Sequence, residues 1–118
     1  MYYNQRGDEM SVEHGSDECK QLIRDNVDID FFRTVFDPVR SELIVFLASN
    51  GEMTVGDIAD NYPQNRSVIS RHLDIMFRYN IVQRRKEGRE VYYQINRDLI
   101  VSKFQQTSEN MTALMNLK

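Results

Sequence analysis

Tryptophan is absent from this 118-residue chain, and cysteine occurs once, at Cys19. A single thiol excludes an intramolecular disulfide framework and suits a reducing compartment. It also excludes the paired-cysteine patterns of small zinc modules. Proline occurs twice and glycine five times, which sets the chain apart from collagen-like and low-complexity sequences. The longest unbroken apolar run is Leu43 to Ala48, far short of the roughly 20 residues a membrane-spanning helix needs. Residues 1–17 are polar and acidic and hold no apolar stretch like that of a secretory signal. Catalytic and cofactor signatures are missing too: there is no Gly-rich phosphate loop, no HExxH pair and no Ser/His/Asp arrangement. These absences predict a cytoplasmic protein that has no membrane partner, needs no cofactor or metal, and is not an enzyme.

What is present is ordinary in amount and uneven in placement. Hydrophobic residues make up 41% of the chain and charged residues 28%, as in a soluble domain with a modest core. The formal net charge of −3 hides a strong segregation. Residues 1–37 carry nine acids and four bases, and residues 38–64 four acids and one base. Residues 65–97 reverse the balance with eight bases (Arg66, Arg71, Arg78, Arg84, Arg85, Lys86, Arg89, Arg97) against three acids. A basic block inside an acidic chain is the footprint of a phosphate-facing surface, or else a solvated charged face.

Periodicity and punctuation divide the chain. Residues 1–17 show no apolar period and are expected to form a mobile acidic tail, with one folded domain over residues 18–118. Apolar residues between Leu22 and Phe36 predict one or two helices. Asp37 before Pro38 is a helix start, because proline at the first helical position gives up an N–H that has no partner there anyway. Val39, Leu43, Phe46 and Leu47 then form a core-facing stripe, which Ser49-Asn50-Gly51 ends. Thr54-Val55-Gly56-Asp57 has the spacing of a capping box and opens a short helix expected to end near Tyr62-Pro63. Asn65 caps the next helix, predicted over roughly residues 66–79. Two short helices joined by a tight turn make a helix-turn-helix.

The second of these helices is two-sided. Val68, Ile69, Leu73, Ile75, Met76 and Phe77 fall on one side of the wheel, and Arg66, Ser67, Ser70, Arg71, Asp74 and Arg78 on the other. Guanidinium and hydroxyl donors near a helix N-terminus are the equipment of a recognition helix in a major groove. His72 sits on the apolar side, where a partly buried, hydrogen-bonded imidazole is expected rather than a metal ligand. Further on, Val91, Tyr93 and Ile95 alternate with polar partners in a strand, and Gly88 supplies the turn of a hairpin. Arg85, Lys86 and Arg89 on that hairpin describe a wing that lies along phosphates, or an edge strand kept soluble by charge. Asn96 caps a last helix carrying Leu99, Ile100, Phe104, Met111, Leu114 and Met115. That stripe exceeds the needs of a small core and reads as a dimer interface or as intramolecular packing. The fold class is therefore mainly α with a small β-hairpin: a winged helix-turn-helix, with N- and C-terminal dimerisation helices in the first of these two readings. The partner is double-stranded DNA, or alternatively an acidic protein bound by the basic wing of a protein-interaction module.

Four segments together resemble the ArsR/SmtB family of repressors: Phe36-Asp37-Pro38-Val39-Arg40, Gly56-Asp57-Ile58-Ala59, Ser67 to Leu73, and Arg85 to Tyr93. The resemblance covers roughly residues 30–104 and implies a homodimeric winged helix that represses from a palindromic operator and is released by an inducer. It places DNA contacts on Arg66, Ser67, Ser70 and Arg71, with Arg66 where glutamine is common. Metal-sensing members carry cysteines where this chain has Thr54 and Gly56. Another family site uses histidines of the last helix, and residues 96–118 contain none. Neither Thr nor Gly offers a soft ion a strong ligand, so the family's usual metal switches are expected to be missing. Cys19 is then a possible thiol sensor, or a small packing residue.

Overall fold

Asp37 opens a helix as predicted: its carboxylate accepts hydrogen bonds from the backbone N–H groups of Val39 and Arg40, both at 3.1 Å. The same economy recurs at the other starts. Thr54 accepts from the Asp57 N–H at 3.1 Å, Asn65 from Val68 at 3.1 Å and Asn96 from Leu99 at 3.4 Å. Each such cap satisfies a donor that the helix itself leaves orphaned, and its loss costs about 1 kcal/mol. Gly51 ends the first of these helices with φ at +78°, a conformation that favours glycine, and its N–H bonds to the Leu47 carbonyl.

The computed structural model describes residues 13–116. In chain order the elements are α1 (Glu13–Asn26), α2 (Ile29–Val35), α3 (Pro38–Asn50), β1 (Met53–Thr54), α4 (Val55–Ala59), α5 (Arg66–Arg78), β2 (Val82–Glu87), β3 (Glu90–Ile95) and α6 (Arg97–Met115). Of the expected tail, residues 1–12 lie outside the described residues, and residues 13–17 form the start of α1. The short helix α4 stops at Ala59, earlier than its sequence pattern predicts.

The chain divides into two compact units. Asp30–Phe104 is the larger. Its core gathers Phe31 and Val35 of α2, Leu43 and Leu47 of α3, Ile58 of α4, Ile69, Leu73 and Met76 of α5, and Ile81, Val82 and Tyr93 from the region of the hairpin. Leu43/Leu47 and Ile69/Leu73/Met76 are the i, i+4 and i, i+4, i+7 positions of their helices, so helical spacing alone turns them to one side. The sheet is antiparallel, in the order β1-β3-β2. β2 pairs β3 from Val82↔Ile95 to Glu87↔Glu90, which leaves a two-residue loop, Gly88-Arg89. Gly88 has φ +63°, and glycine at the first loop position is the demand of a type II′ hairpin turn. β1 adds only Met53↔Tyr93 and Thr54↔Tyr92. A strand of two residues carries no readable alternation, and the sequence pattern did not announce it.

The other unit comprises the described residues up to Ile29 and from Gln105 onward. Within it the Asn110 amide donates to the Asn26 carbonyl at 2.8 Å, joining the end of α1 to α6. Leu22, Ile29, Met111 and Met115 remain exposed.

Candidate nucleic-acid interface

The candidate site is built on α4, the turn after it, α5 and the β2–β3 hairpin. Ile69, Leu73 and Met76 are fully buried and hold α5 by one side against the core. Arg66, Ser67, Arg71, Asp74 and Arg78 are exposed on the other, with Ser70 half-buried at the boundary. The wheel drawn from sequence thus matches the packing. Asn65 shapes the entry of the helix twice over: its side-chain oxygen caps Val68 and also accepts the Ser67 hydroxyl at 2.6 Å. Arg66 folds back toward α4, its Nη1 3.6 Å from the point a Cβ on Gly56 would occupy.

Arg40, which the sequence left without a role, ties three elements together. Its Nε donates to the Thr34 carbonyl at 2.8 Å, and Nη1 reaches His72 Nδ1 at 3.2 Å. Its Nη2 lies 3.8 Å from the Asp37 carboxylate. A guanidinium can only donate, so His72 Nδ1 is the acceptor and the imidazole is held neutral. Burial pushes the His72 pKa below its ordinary value; the Asp37 carboxylate opposes this, and the Arg40 and Arg71 cations add to it. The expectation of a partly buried, hydrogen-bonded histidine agrees with this arrangement.

The eight bases of residues 65–97 sort into two groups. Among the described residues Arg66, Arg71, Arg78, Lys86, Arg89 and Arg97 form no ion pair, whereas Arg84 and Arg85 do. Arg84 lies over the Phe77 ring at 3.9 Å and approaches Asp74 of α5 at 3.5 Å. Arg85 makes two 2.8 Å bonds to the Glu52 carboxylate, Nε to Oε2 and Nη2 to Oε1, and a third from Nη1 to Glu87. The Arg85 hydrogen bonds hold the Glu52 carboxyl below its usual range, and the two carboxylates push the Arg85 pKa up. Arg85 is therefore already engaged, while Lys86 and Arg89 are the exposed cations of the hairpin end. Glu52 is a residue that sequence reasoning missed; it stands 33 positions from Arg85 and carries no local signal of the pairing.

The Thr54 hydroxyl is occupied in capping α4, and Gly56 faces the Arg66 guanidinium. Cys19 is an exposed free thiol on α1. No three His, Cys, Asp or Glu side chains gather into a metal-binding group among the described residues.

A two-sided helix α5 entered through a short α4, followed at once by a β-hairpin with free cations at its end, defines a winged helix-turn-helix protein. The family described as "bacterial regulatory protein, arsR family" matches residues 37–84. The chain is 32% identical over 65 residues to the transcriptional repressor SdpR of Bacillus subtilis, covering 55% of this chain and 71% of that protein. It is 37% identical over 71 residues to an uncharacterised HTH-type transcriptional regulator of Methanocaldococcus jannaschii, covering 60% and 80%. Among solved structures it is similar to a possible transcriptional regulator for arsenical resistance, with 31% identity, a TM-score of 0.61, and coverage of 68% of this chain and 82% of that one. The chain belongs to the ArsR family, and it is a DNA-binding transcriptional regulator rather than an enzyme.

Proposed function

We propose that the protein is a repressor that binds a pseudo-palindromic operator as a homodimer. The observation that carries this reading is the division of α5: one side buried in the core, the other presenting Arg66, Ser67, Ser70 and Arg71, with no ion pair on either arginine among the described residues. In this reading α5 lies in the major groove, where Arg71 and the serine hydroxyls meet base edges and phosphates. Lys86 and Arg89 meet the backbone beside it. A two-fold dimer sets the two half-sites about one or two helical turns apart. Release is not triggered by soft metal ions at positions 54 and 56, because a capping hydroxyl and a glycine offer them no strong ligand.

Selection of bound duplexes from a random library tests the reading. It should enrich a two-fold-related sequence, and the Arg66→Ala/Arg71→Ala double variant should lose that preference. Enrichment of no duplex, or equal preference by the double variant, contradicts it. Titrating the selected complex with zinc, cadmium, arsenite or oxidant, in wild type and Cys19→Ser, then addresses release. Metal-driven release in both proteins overturns the metal-free reading, and release by oxidant in wild type alone assigns sensing to Cys19.

A further inference from the structure

Arg84 and Arg85 are neighbours on β2 and leave it on opposite faces, since successive side chains of a strand alternate. Arg84 turns toward α5. Arg85 passes over the ring of Tyr92 on β3, 4.5 Å from its centroid, and ends on Glu52, the residue just before β1. Sheet order β1-β3-β2 places β3 between the two, so this contact spans the sheet. The two 2.8 Å bonds from Nε and Nη2 to the two carboxylate oxygens form a fork-on-fork pair, the geometry in which an exposed ion pair is least easily dismissed. With Glu87 on Nη1, one cation faces two carboxylates, and the cluster carries a net negative charge that repels phosphate. β3 has a second neighbour only at Tyr92 and Tyr93. Beyond them the wing is a two-stranded ribbon, which has little stiffness of its own.

We propose that Arg85 is a positioning residue rather than a phosphate contact: bound to Glu52, it sets the direction of the wing and so the place where Lys86 and Arg89 meet DNA. The proposal rests on the DNA-binding reading above. It has a consequence opposite in sign to simple electrostatics. Glu52→Gln removes a negative charge beside the basic surface, which by charge alone tightens DNA binding; loss of the brace weakens it.

The experiment measures affinity for the selected duplex across a salt series, for wild type, Glu52→Gln, Arg85→Ala, Arg85→Lys, the Glu52→Gln/Arg85→Ala double variant and Lys86→Ala/Arg89→Ala. Glu52→Gln and Arg85→Ala should each weaken binding about three- to tenfold, the double variant no more than the weaker single, and all three should share one salt slope. Arg85→Lys keeps the charge but not the fork, and should behave like Arg85→Ala. A salt slope lowered in Arg85→Ala, by about one unit per protomer, but not in Glu52→Gln, retained affinity in Arg85→Lys, or tighter binding by Glu52→Gln would make Arg85 a phosphate contact and overturn the proposal. Amide hydrogen exchange of β2 and β3 in the free protein reads the brace without DNA. It should quicken in Glu52→Gln and Arg85→Ala; unchanged exchange refutes the brace. Faster exchange in a protein whose Lys86→Ala/Arg89→Ala and Arg71→Ala variants bind DNA like wild type would sink the placement of DNA on α5 and the wing and leave the brace standing.

Discussion

Arg71 leaves α5 opposite Ile69, Leu73 and Met76, and its guanidinium is in no ion pair among the described residues. Replacing it with alanine removes nothing from the core, so the fold should persist while about 1–3 kcal/mol of operator affinity is lost and discrimination relaxes. Competition between operator and scrambled duplex checks this; equal ratios for variant and parent would take Arg71 out of the readout. His72, one residue along, belongs to the scaffold instead. Its pKa is lowered in the folded protein, chiefly by burial, so below the unfolded value of about 6.5 the unfolded chain binds more protons than the folded one. Stability from this group is present above that pH and declines as pH falls toward the folded pKa. Denaturant melts at about pH 7.5 and pH 5.5 should show the loss, and His72→Gln should shrink the difference. A difference of the same size in the variant would place the titration on another group.

The hairpin is the element where charge and geometry are most clearly separated. Its strands are in register to Glu87↔Glu90, and Gly88 allows the tight reversal that brings Arg89 to the tip. Lys86 and Arg89 are exposed and without an ion pair among the described residues. Phosphate contacts of this kind carry no base preference and release counterions. Lys86→Ala/Arg89→Ala should therefore weaken all duplexes alike and lower the salt slope by about two units per bound protomer. Affinity measured on operator and unrelated DNA over a salt series distinguishes this from α5: a fall confined to the operator would make the wing a base reader.

At the scale of the molecule, the unit Asp30–Phe104 keeps large aromatic surface in water. Phe36 is 64% exposed and Phe104 44%. Together with Phe32 they form a cluster of rings with centroids 5.1–6.4 Å apart. Val101, at 48% exposure, is a further apolar residue of α6 open to solvent. Exposed apolar surface of this kind is what an association interface requires, and it falls on the elements expected from the sequence to carry the dimer. In the proposed homodimer, Phe104→Glu should shift the protein toward monomer in light scattering and weaken operator binding in step, because a dimer joins two half-sites. A monomeric variant that saturates the operator at parental concentration would break the link between assembly and binding.

The parts of this structure legible in the sequence are those decided within one helical turn or one strand alternation. Asp37, Thr54, Asn65 and Asn96 cap groups two or three residues ahead, and the apolar stripes of α3 and α5 follow from a period of 3.6. From these came the helix-turn-helix, the outward face of α5 and the wing after it. The end of α4 is not legible in the sequence, because Tyr62 and Pro63 look like a terminator although the turn begins at Asp60. Other features depended on the path of the chain. β1 exists only because β3 returns beside Met53 and Thr54. Arg40 meets His72 across 32 positions, and Arg85 meets Glu52 across 33. Counting charges along the sequence treats all eight bases of residues 65–97 as equal. Folding alone decides that Arg84 and Arg85 are engaged by carboxylates while Lys86 and Arg89 form no ion pair among the described residues. A pattern read along the chain records which charges are near in sequence, but an ion pair forms between charges that the packed core brings near in space.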